Sequence, residues 1–376
     1  MSAIPAAIPA PPGRGEAVPI PAIIPGLDGL RAVSILLVMA SHSGAANIIP
    51  GVFGVTLFFF ISGFLITTLM LAEHRQTGEL AVGAFYARRM IRLYPPLIAS
   101  IGATVLVAAA YGEHIPLAGI VGALAYLANY LALFRPDLVA GLGGQLWSLA
   151  VEEHFYLVYP LAMLLLLPRP RLMVPVLGLF CLLALLARVY VEQHFPAIAT
   201  DYTGKATECR IDSILYGALA AVVWWDGRAR ALMTRHATPL LAGALLLLAI
   251  SFGWRNALVR DTLRYTLQGL ALMPAVLAVT VAGTLPAVTR LLEAAPMRWI
   301  GRLSYSLYLW HLFGFELADR LVGHGQMHTP QAVVLGWGLV IGLSAASYRF
   351  VEKPFFALRK RFGSNVGSTD HGRAGA

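Results

Sequence analysis

"GVTLFFFISGFLITTLMLA", residues 54–72, holds nineteen positions without a charged side chain. At about 1.5 Å per residue a helix of that length reaches across the roughly 30 Å hydrocarbon layer of a bilayer. Runs of the same kind continue on both sides. Apolar windows fall at 29–46, 54–72, 97–111, 117–134, 147–167, 172–190, 210–225, 238–254, 265–285, 303–321 and 332–350. They fill a 376-residue chain that is 58% hydrophobic and 12% charged, where a soluble domain carries about 25% charged residues. The expected fold is therefore all-α, a polytopic membrane helix bundle. No soluble catalytic domain is left over, so any chemistry belongs to the helices and short loops.

The flanks and loops set the expected topology. Residues 1–25 are rich in Pro and Ala and lack the basic n-region and A-x-A-like cleavage site of a signal peptide, so they are expected to be a disordered tail; 357–376 form a basic, flexible C-terminal tail. Cys181 and Cys209 are the only cysteines, which suggests neither a disulfide framework nor a zinc site. The net charge of +9 argues for membrane topology rather than for nucleic acid, because basic residues collect on the cytoplasmic side of membrane proteins. Loop 72–96 carries Arg75, Arg88, Arg89 and Arg92; later basic regions carry Arg169 and Arg171, Arg228, Arg230 and Arg235, Arg290, Arg298 and Arg302, and Lys353, Arg359, Lys360 and Arg361. These are expected inside, with both termini, while 44–53, 191–209 and 322–331 are expected outside. Eleven crossings would split the basic loops between two sides and ten unite them. One candidate is therefore not a full span, and the pair 97–111 and 117–134, joined only by "GEHIP", is the expected place of a broken or re-entrant segment. Loop 255–264, with Arg255, Arg260 and Arg264, falls outside against the rule.

Polar residues inside a bilayer are costly and are read as functional by default. "GLDGLRAVSILLVMASHS", 26–43, places Asp28, Arg31 and His42 in an otherwise apolar segment. Arg31 and His42 are eleven residues apart, so on a continuous α-helix they lie within roughly 20° of one face and about 16 Å apart along the axis. Asp28 stands one turn before Arg31, placed as its counter-ion or as a helix cap. In "GQLWSLAVEEHFYLVYP", 144–160, Glu152, Glu153 and His154 interrupt a second span, with Ser148 one turn before Glu152. Adjacent glutamates point about 100° apart, so different roles are expected for them. Trp147, Phe155, Tyr156 and Tyr159 are expected to form an interfacial belt and packing surface. Arg88, Arg89 and Arg92 follow the second helix, and Arg89 with Arg92 makes a two-pronged guanidinium clamp suited to phosphate. Positive-inside topology and lipid headgroups explain the same residues. "GRLSYSLYLWHLF", 301–313, brings Ser304, Tyr305, Tyr308 and His311 into a further span, Tyr308 and His311 on one face.

Six of these pieces in order match a known pattern: Arg31 and His42 at R-x10-H spacing, "FFFISGFLI" (58–66), R-x-x-R at Arg89 and Arg92, "WSLAVEEHFY" (147–156), "SYSLYLWH" (304–311) and "FVEKPF" (350–355). The chain resembles the membrane acyltransferase-3 family over residues 26–356. That resemblance implies about ten membrane helices and transfer of an acyl group, usually acetyl, from acetyl-CoA to a carbohydrate or related hydroxyl. It further implies an essential pair in Arg31 and His42, an acyl-CoA side at Arg89 and Arg92 with Arg88 beside them, and Glu152 and Glu153 in the core. The polar core is completed by Ser148, Tyr305, Tyr308 and His311. Some members carry an SGNH-type hydrolase domain; this chain, ending about 20 residues after "FVEKPF", is similar to the stand-alone form. His154 stands where the family motif often has Gln and receives no role from it.

The chemistry expected from this placement is direct acyl transfer. An alcohol needs a base as it attacks a thioester, and a neutral histidine near pH 7 suits that task, so His42 is the expected base. Arg31 would orient the donor or stabilise the oxyanion, and Asp28 would hold Arg31. A covalent acyl-enzyme on Ser or His is the alternative, weakened by the absence of a G-x-S-x-G elbow. Acyl-CoA is a donor substrate; no permanently bound cofactor or metal is expected. The expected partners are membrane lipids, acyl-CoA and a glycan acceptor, in a bacterial inner membrane. A proton-coupled transporter is the runner-up, since it too uses buried Arg, His and Glu, although no internal repeat of the transporter type is present.

Overall fold

The computed structural model describes residues 24–359 except 46–47, 255, 281–283, 324 and 326–328. Of the tails expected at 1–25 and 357–376, residues 1–23 and 360–376 lie outside the described residues, while 357–359 form the end of the last helix rather than a flexible tail. In chain order the helices are α1 (Leu27–Ala40), α2 (Gly51–Thr77), α3 (Val82–Ala110), α4 (Leu117–Leu124), α5 (Ala128–Phe134), α6 (Pro136–Val139), α7 (Leu146–Leu166), α8 (Pro170–His194), α9 (Ala199–Lys205) and α10 (Thr207–Trp225). They continue as α11 (Gly227–Arg235), α12 (Ala237–Gly253), α13 (Arg264–Thr280), α14 (Pro286–Leu292), α15 (Ala295–Val322), α16 (Pro330–Ser347) and α17 (Lys353–Arg359). Three π-turns, Ser41–Ala45, Val259–Leu263 and Tyr348–Glu352, sit at helix ends. No strand occurs among the described residues.

Local chemistry explains the punctuation. α2 stops at Gly78, whose φ of 77° is the left-handed cap that glycine adopts at no steric cost, with His74 and Arg75 in the last turn facing the negative end of the dipole. α16 starts where the Thr329 hydroxyl accepts from the Ala332 N–H and Pro330 occupies the first turn. α3 runs through Pro95 and Pro96 rather than starting after them. The window 97–111 is thus the second half of a longer helix, and the carbonyls four residues before each proline lose their helical donors. The window 117–134 is broken into α4 and α5 at Tyr126, a non-glycine residue with φ 56°.

Among the described residues six helices are long and apolar enough to cross a membrane: α2, α3, α7, α8, Val259–Thr280 and Pro330–Phe356. The pair Ala229–Arg235 and Ala237–Gly253, bent by 82°, adds a seventh if it is one broken span. The ten spans expected from loop charge are not reached on length and composition. α1 has only 14 residues, α10 opens with Glu208, Arg210 and Asp212, and α15 is charged at both ends. The helix ends nevertheless sort into two sets. At one end Arg75 lies over Trp225 at 4.4 Å, Arg88 pairs with Glu73 at 3.9 Å and the Gly26 N–H donates to Glu293. At the opposite end Arg320 pairs with Glu113 at 2.9 Å, Tyr130 and Tyr202 both donate to Glu208, and Phe53 meets Phe252. The first set carries the basic loops. Arg260 and Arg264, anomalous by charge, are engaged at the second: Arg260 pairs with Asp261 at 2.7 Å and Arg264 donates to the Tyr265 hydroxyl at 2.8 Å.

Close backbone approach binds the bundle, as small residues allow in membrane helices. α2 and α10 cross where Gly63 faces the Ile214 carbonyl and Gly217 faces the Phe60 carbonyl, leaving no room for a Cβ at either. α1 meets α15 in the same way, Gly301 against the Asp28 backbone, and meets the end of α14 where Gly29 faces Leu292. Gly63→Val is expected to destabilise by about 1–3 kcal/mol or more through overpacking. Gly102→Ala, in open space on α3, is expected to be neutral or better. Melting temperatures of the two variants in detergent check this; equal values would remove the crossing as a structural constraint.

Candidate active site

Five helices converge on a partly open cavity with about 710 Å³ of empty space, its open mouth included. α1 supplies Arg31, α3 supplies Arg89 and Arg92, α7 supplies Ser148, Glu152 and Tyr156, and α15 supplies Ser304, Tyr305 and Tyr308, with an apolar wall from α2 running from Val55 to Leu65. Residues one turn apart on α7 and on α15 enter together, as helical spacing requires. Three guanidinium groups share the lining with one carboxylate, Glu152, so the cavity favours an anionic ligand. Glu152 accepts hydrogen bonds from Ser62 and Tyr156. Arg89 lies 4.1 Å over the Tyr156 ring, a cation–π contact that fixes its direction. The Tyr305 hydroxyl donates to the Leu93 carbonyl at 2.8 Å, tying α15 to α3 beside Arg92.

At the end of the cavity nearer the Glu113–Arg320 side, the hydroxyls of Ser148 and Tyr308 are bonded to each other, and both reach the Gln145 carbonyl. Behind Tyr308 sits His311, wholly buried, its ring 5.4 Å from that of Tyr308 and 5.0 Å from that of His42. His42 is exposed, in the π-turn that follows α1. Its Nδ1 is 2.9 Å from the Val38 carbonyl, and Nδ1 of His311 is 2.7 Å from the Tyr308 carbonyl. A carbonyl only accepts. Each Nδ1 therefore carries the proton, and each neutral ring keeps its lone pair on Nε2.

The residues expected from sequence are distributed as follows. Arg31, Arg89, Arg92, Ser148, Glu152, Tyr305 and Tyr308 line one cavity; His42 and His311 form a pair beside it. Glu153 does not line the cavity, in keeping with the 100° between neighbours, but interacts electrostatically with Arg89. Arg88 is drawn away to Glu73. Asp28 makes no ion pair with Arg31, and its backbone serves instead as the contact for Gly301. The helix carrying Arg31 passes at Ser41 into a π-turn, but Ser41 keeps helical angles and the departures come only at Ser43 and Gly44, so the chain stays helical up to His42. The expected aromatic belt is also corrected. Phe155, Tyr156 and Tyr159 are buried, with the Tyr159 hydroxyl 2.7 Å from that of Thr67, because this face of α7 packs on α2 and α3.

Three groups were not anticipated. Glu352, buried in the last π-turn, accepts from Ser306 and is acted on by the charges of Arg92 and Arg31; such turns recur at functional positions. Its presence in "FVEKPF" was the available signal. Arg188 and Asp212 form a fully buried ion pair at 2.7 Å. Arg210, also buried, lies 3.7 Å over the Tyr265 ring and donates to Thr56. Charges inside the windows 172–190 and 210–225 pointed to all three.

The acyltransferase-3 family, described as an acyltransferase domain, matches residues 24–349. The chain is 30% identical over 349 residues to the peptidoglycan O-acetyltransferase OatA of Listeria monocytogenes, covering 88% of this chain and 55% of that protein. It is 29% identical to the putative peptidoglycan O-acetyltransferase YrhL of Bacillus subtilis, over 88% of this chain and 54% of that one. It is 28% identical to the O-acetyltransferase OatA of Staphylococcus aureus, over 91% and 58%. The chain thus spans a little over half the length of these relatives. No solved structure matches it.

Proposed function

We propose that this chain, which belongs to the acyltransferase-3 family, moves an acyl group, acetyl in the simplest case, from acyl-CoA to a carbohydrate hydroxyl. One observation carries the reading: a cavity rich in guanidinium groups lies beside a histidine pair whose Nδ1 atoms face backbone carbonyls, which leaves Nε2 as the basic nitrogen of each ring. Arg89 and Arg92 hold phosphates of the donor, and Arg31, backed by Glu352, faces the thioester carbonyl as negative charge develops there. His42 removes the proton of the attacking hydroxyl at Nε2. Peptidoglycan, the acceptor in the names of the Listeria and Bacillus relatives, is the first acceptor to try. The charge of the basic loops supports a reading with the Arg89 and Arg92 end and both termini on the cytoplasmic side of a bacterial inner membrane, where acyl-CoA is made, and His42 toward the other side.

The test uses protein in liposomes, labelled acetyl-CoA and soluble peptidoglycan fragments. Arg89→Ala and Arg92→Ala are each expected to raise KM for acetyl-CoA about 10- to 100-fold, the effect of losing a hydrogen bond to a charged group, with acceptor choice unchanged. A changed acceptor preference at constant donor KM would refute the donor assignment. Solute movement without acetyl-CoA consumption would instead favour the transporter.

A further inference from the structure

Acyl transfer as proposed uses His42 and leaves His311, the more deeply buried ring, without a task. The polar groups stand in series. From the opposite end inward come His42, His311 at 5.0 Å between ring centres, Tyr308 at 5.4 Å from His311, and the Tyr308–Ser148 hydroxyl pair on the cavity wall. His311 Nε2 is buried with no hydrogen-bond partner, although a buried nitrogen lone pair ordinarily finds one. α1 packs along α15 and Ser41 keeps helical angles, which carries the His42 ring to its place beside His311. Among the described residues, His42 is the titratable group that acts on His311, with Tyr308 on its other side.

The reaction needs such a series. The acceptor hydroxyl loses its proton near His42, whereas the thiolate is released in the cavity. Leaving a cation and an anion apart in a dry interior is unfavourable. We propose, resting on the acyl-transfer reading, that His311 is a positioning and relay residue: it takes from His42 the proton lost by the acceptor and returns it toward the departing thiolate. The acceptor oxygen forms the new C–O bond as the thioester C–S bond breaks. The hydroxyl proton goes to His42 Nε2 and then to His311 Nε2; because Nδ1 of His311 stays on the Tyr308 carbonyl, the proton leaves again from Nε2 and ends on sulfur. CoA leaves as the thiol, and both imidazoles are neutral again.

His311→Asn tests this, because its amide N–H reproduces the donor to the Tyr308 carbonyl while removing the basic Nε2. With acetyl-CoA and peptidoglycan fragments, kcat is expected to fall at least about tenfold, less than the roughly 10²- to 10⁴-fold of a direct acid–base group because His311 acts through His42, with KM for acetyl-CoA unchanged and an altered solvent deuterium isotope effect on kcat. His311→Gln, which fills the Nε2 position with a group that is not a base, is expected to be equally slow. Either variant turning over at the unsubstituted rate with the same isotope effect would overturn the relay. If neither variant accumulates, nitrogen-15 spectra of histidine-labelled native protein decide: His42 and His311 must titrate as one coupled pair, and two independent titrations would overturn the proposal. Native protein that never consumes acetyl-CoA defeats the acyl-transfer reading itself, whereas an inactive His42→Ala beside a fully active His311→Asn defeats only the relay.

Discussion

Replacing His42 with alanine is expected to lower acyl transfer by about 10²- to 10⁴-fold, the span attributed to a positioned general base, while the protein accumulates normally. The two halves of this expectation have separate causes. His42 is exposed in the Ser41–Ala45 turn, so truncation leaves no buried cavity, and its one hydrogen bond is to the Val38 carbonyl within its own turn. Surface changes of that kind usually stay within about 0.5 kcal/mol. The loss of activity follows from the lone pair on Nε2, which alanine removes. Labelled acetyl transfer to peptidoglycan fragments and membrane protein yield, measured on the same preparations, check both halves. Acylation within a factor of two of the unsubstituted rate would end the role of His42 as base.

The cavity was largely legible in the sequence because charge in an apolar run is conspicuous and helical spacing is regular. Ser148 and Glu152 on α7, Arg89 and Arg92 on α3, and Tyr305 and Tyr308 on α15 all reach the cavity, as residues on one helical face should. Where the helix changes its winding, the same arithmetic fails. At Ser43 and Gly44 the backbone leaves helical angles, so the arithmetic that carries from Arg31 to His42 stops directly after His42. Glu352 was obscured for a different reason. It stands beside Lys353 at the start of the basic C-terminal region, where a charge reads as the edge of a span rather than as a buried partner of Ser306. The pairing of Arg188 with Asp212 joins α8 to α10 across 24 positions, and no periodicity within one helix reveals a partner on another. The aromatic residues of α7 misled through composition alone: tyrosines near a span end resemble an interfacial belt until the helices packed around them are known.

That buried pair carries the largest stability effect expected in the molecule. Arg188 and Asp212 both have fully buried side chains. The guanidinium donates from Nε to the Thr262 carbonyl at 2.8 Å, from Nη1 to the Cys209 carbonyl, and from Nη2 to Asp212 and to Thr266, each at 2.7 Å. One side chain on α8 thereby binds α10, the Val259–Leu263 turn and α13. Asp212→Ala keeps every hydrogen bond except the one that neutralises the charge, leaving an uncompensated cation in the bundle. The expected cost is about 3–5 kcal/mol, read as a lowered melting temperature in detergent and reduced yield. The pair itself is worth much less than the cost of breaking it, because both ions are desolvated on folding. Arg188→Met combined with Asp212→Ala is therefore expected to recover much of the loss, even though the carbonyls of Thr262 and Cys209 then lose a donor. A single Asp212→Ala variant that melts with the unsubstituted protein would show that solvent or another group neutralises Arg188. A double variant less stable than the single one would show that the hydrogen bonds to the two carbonyls, rather than the charge balance, hold these helices together.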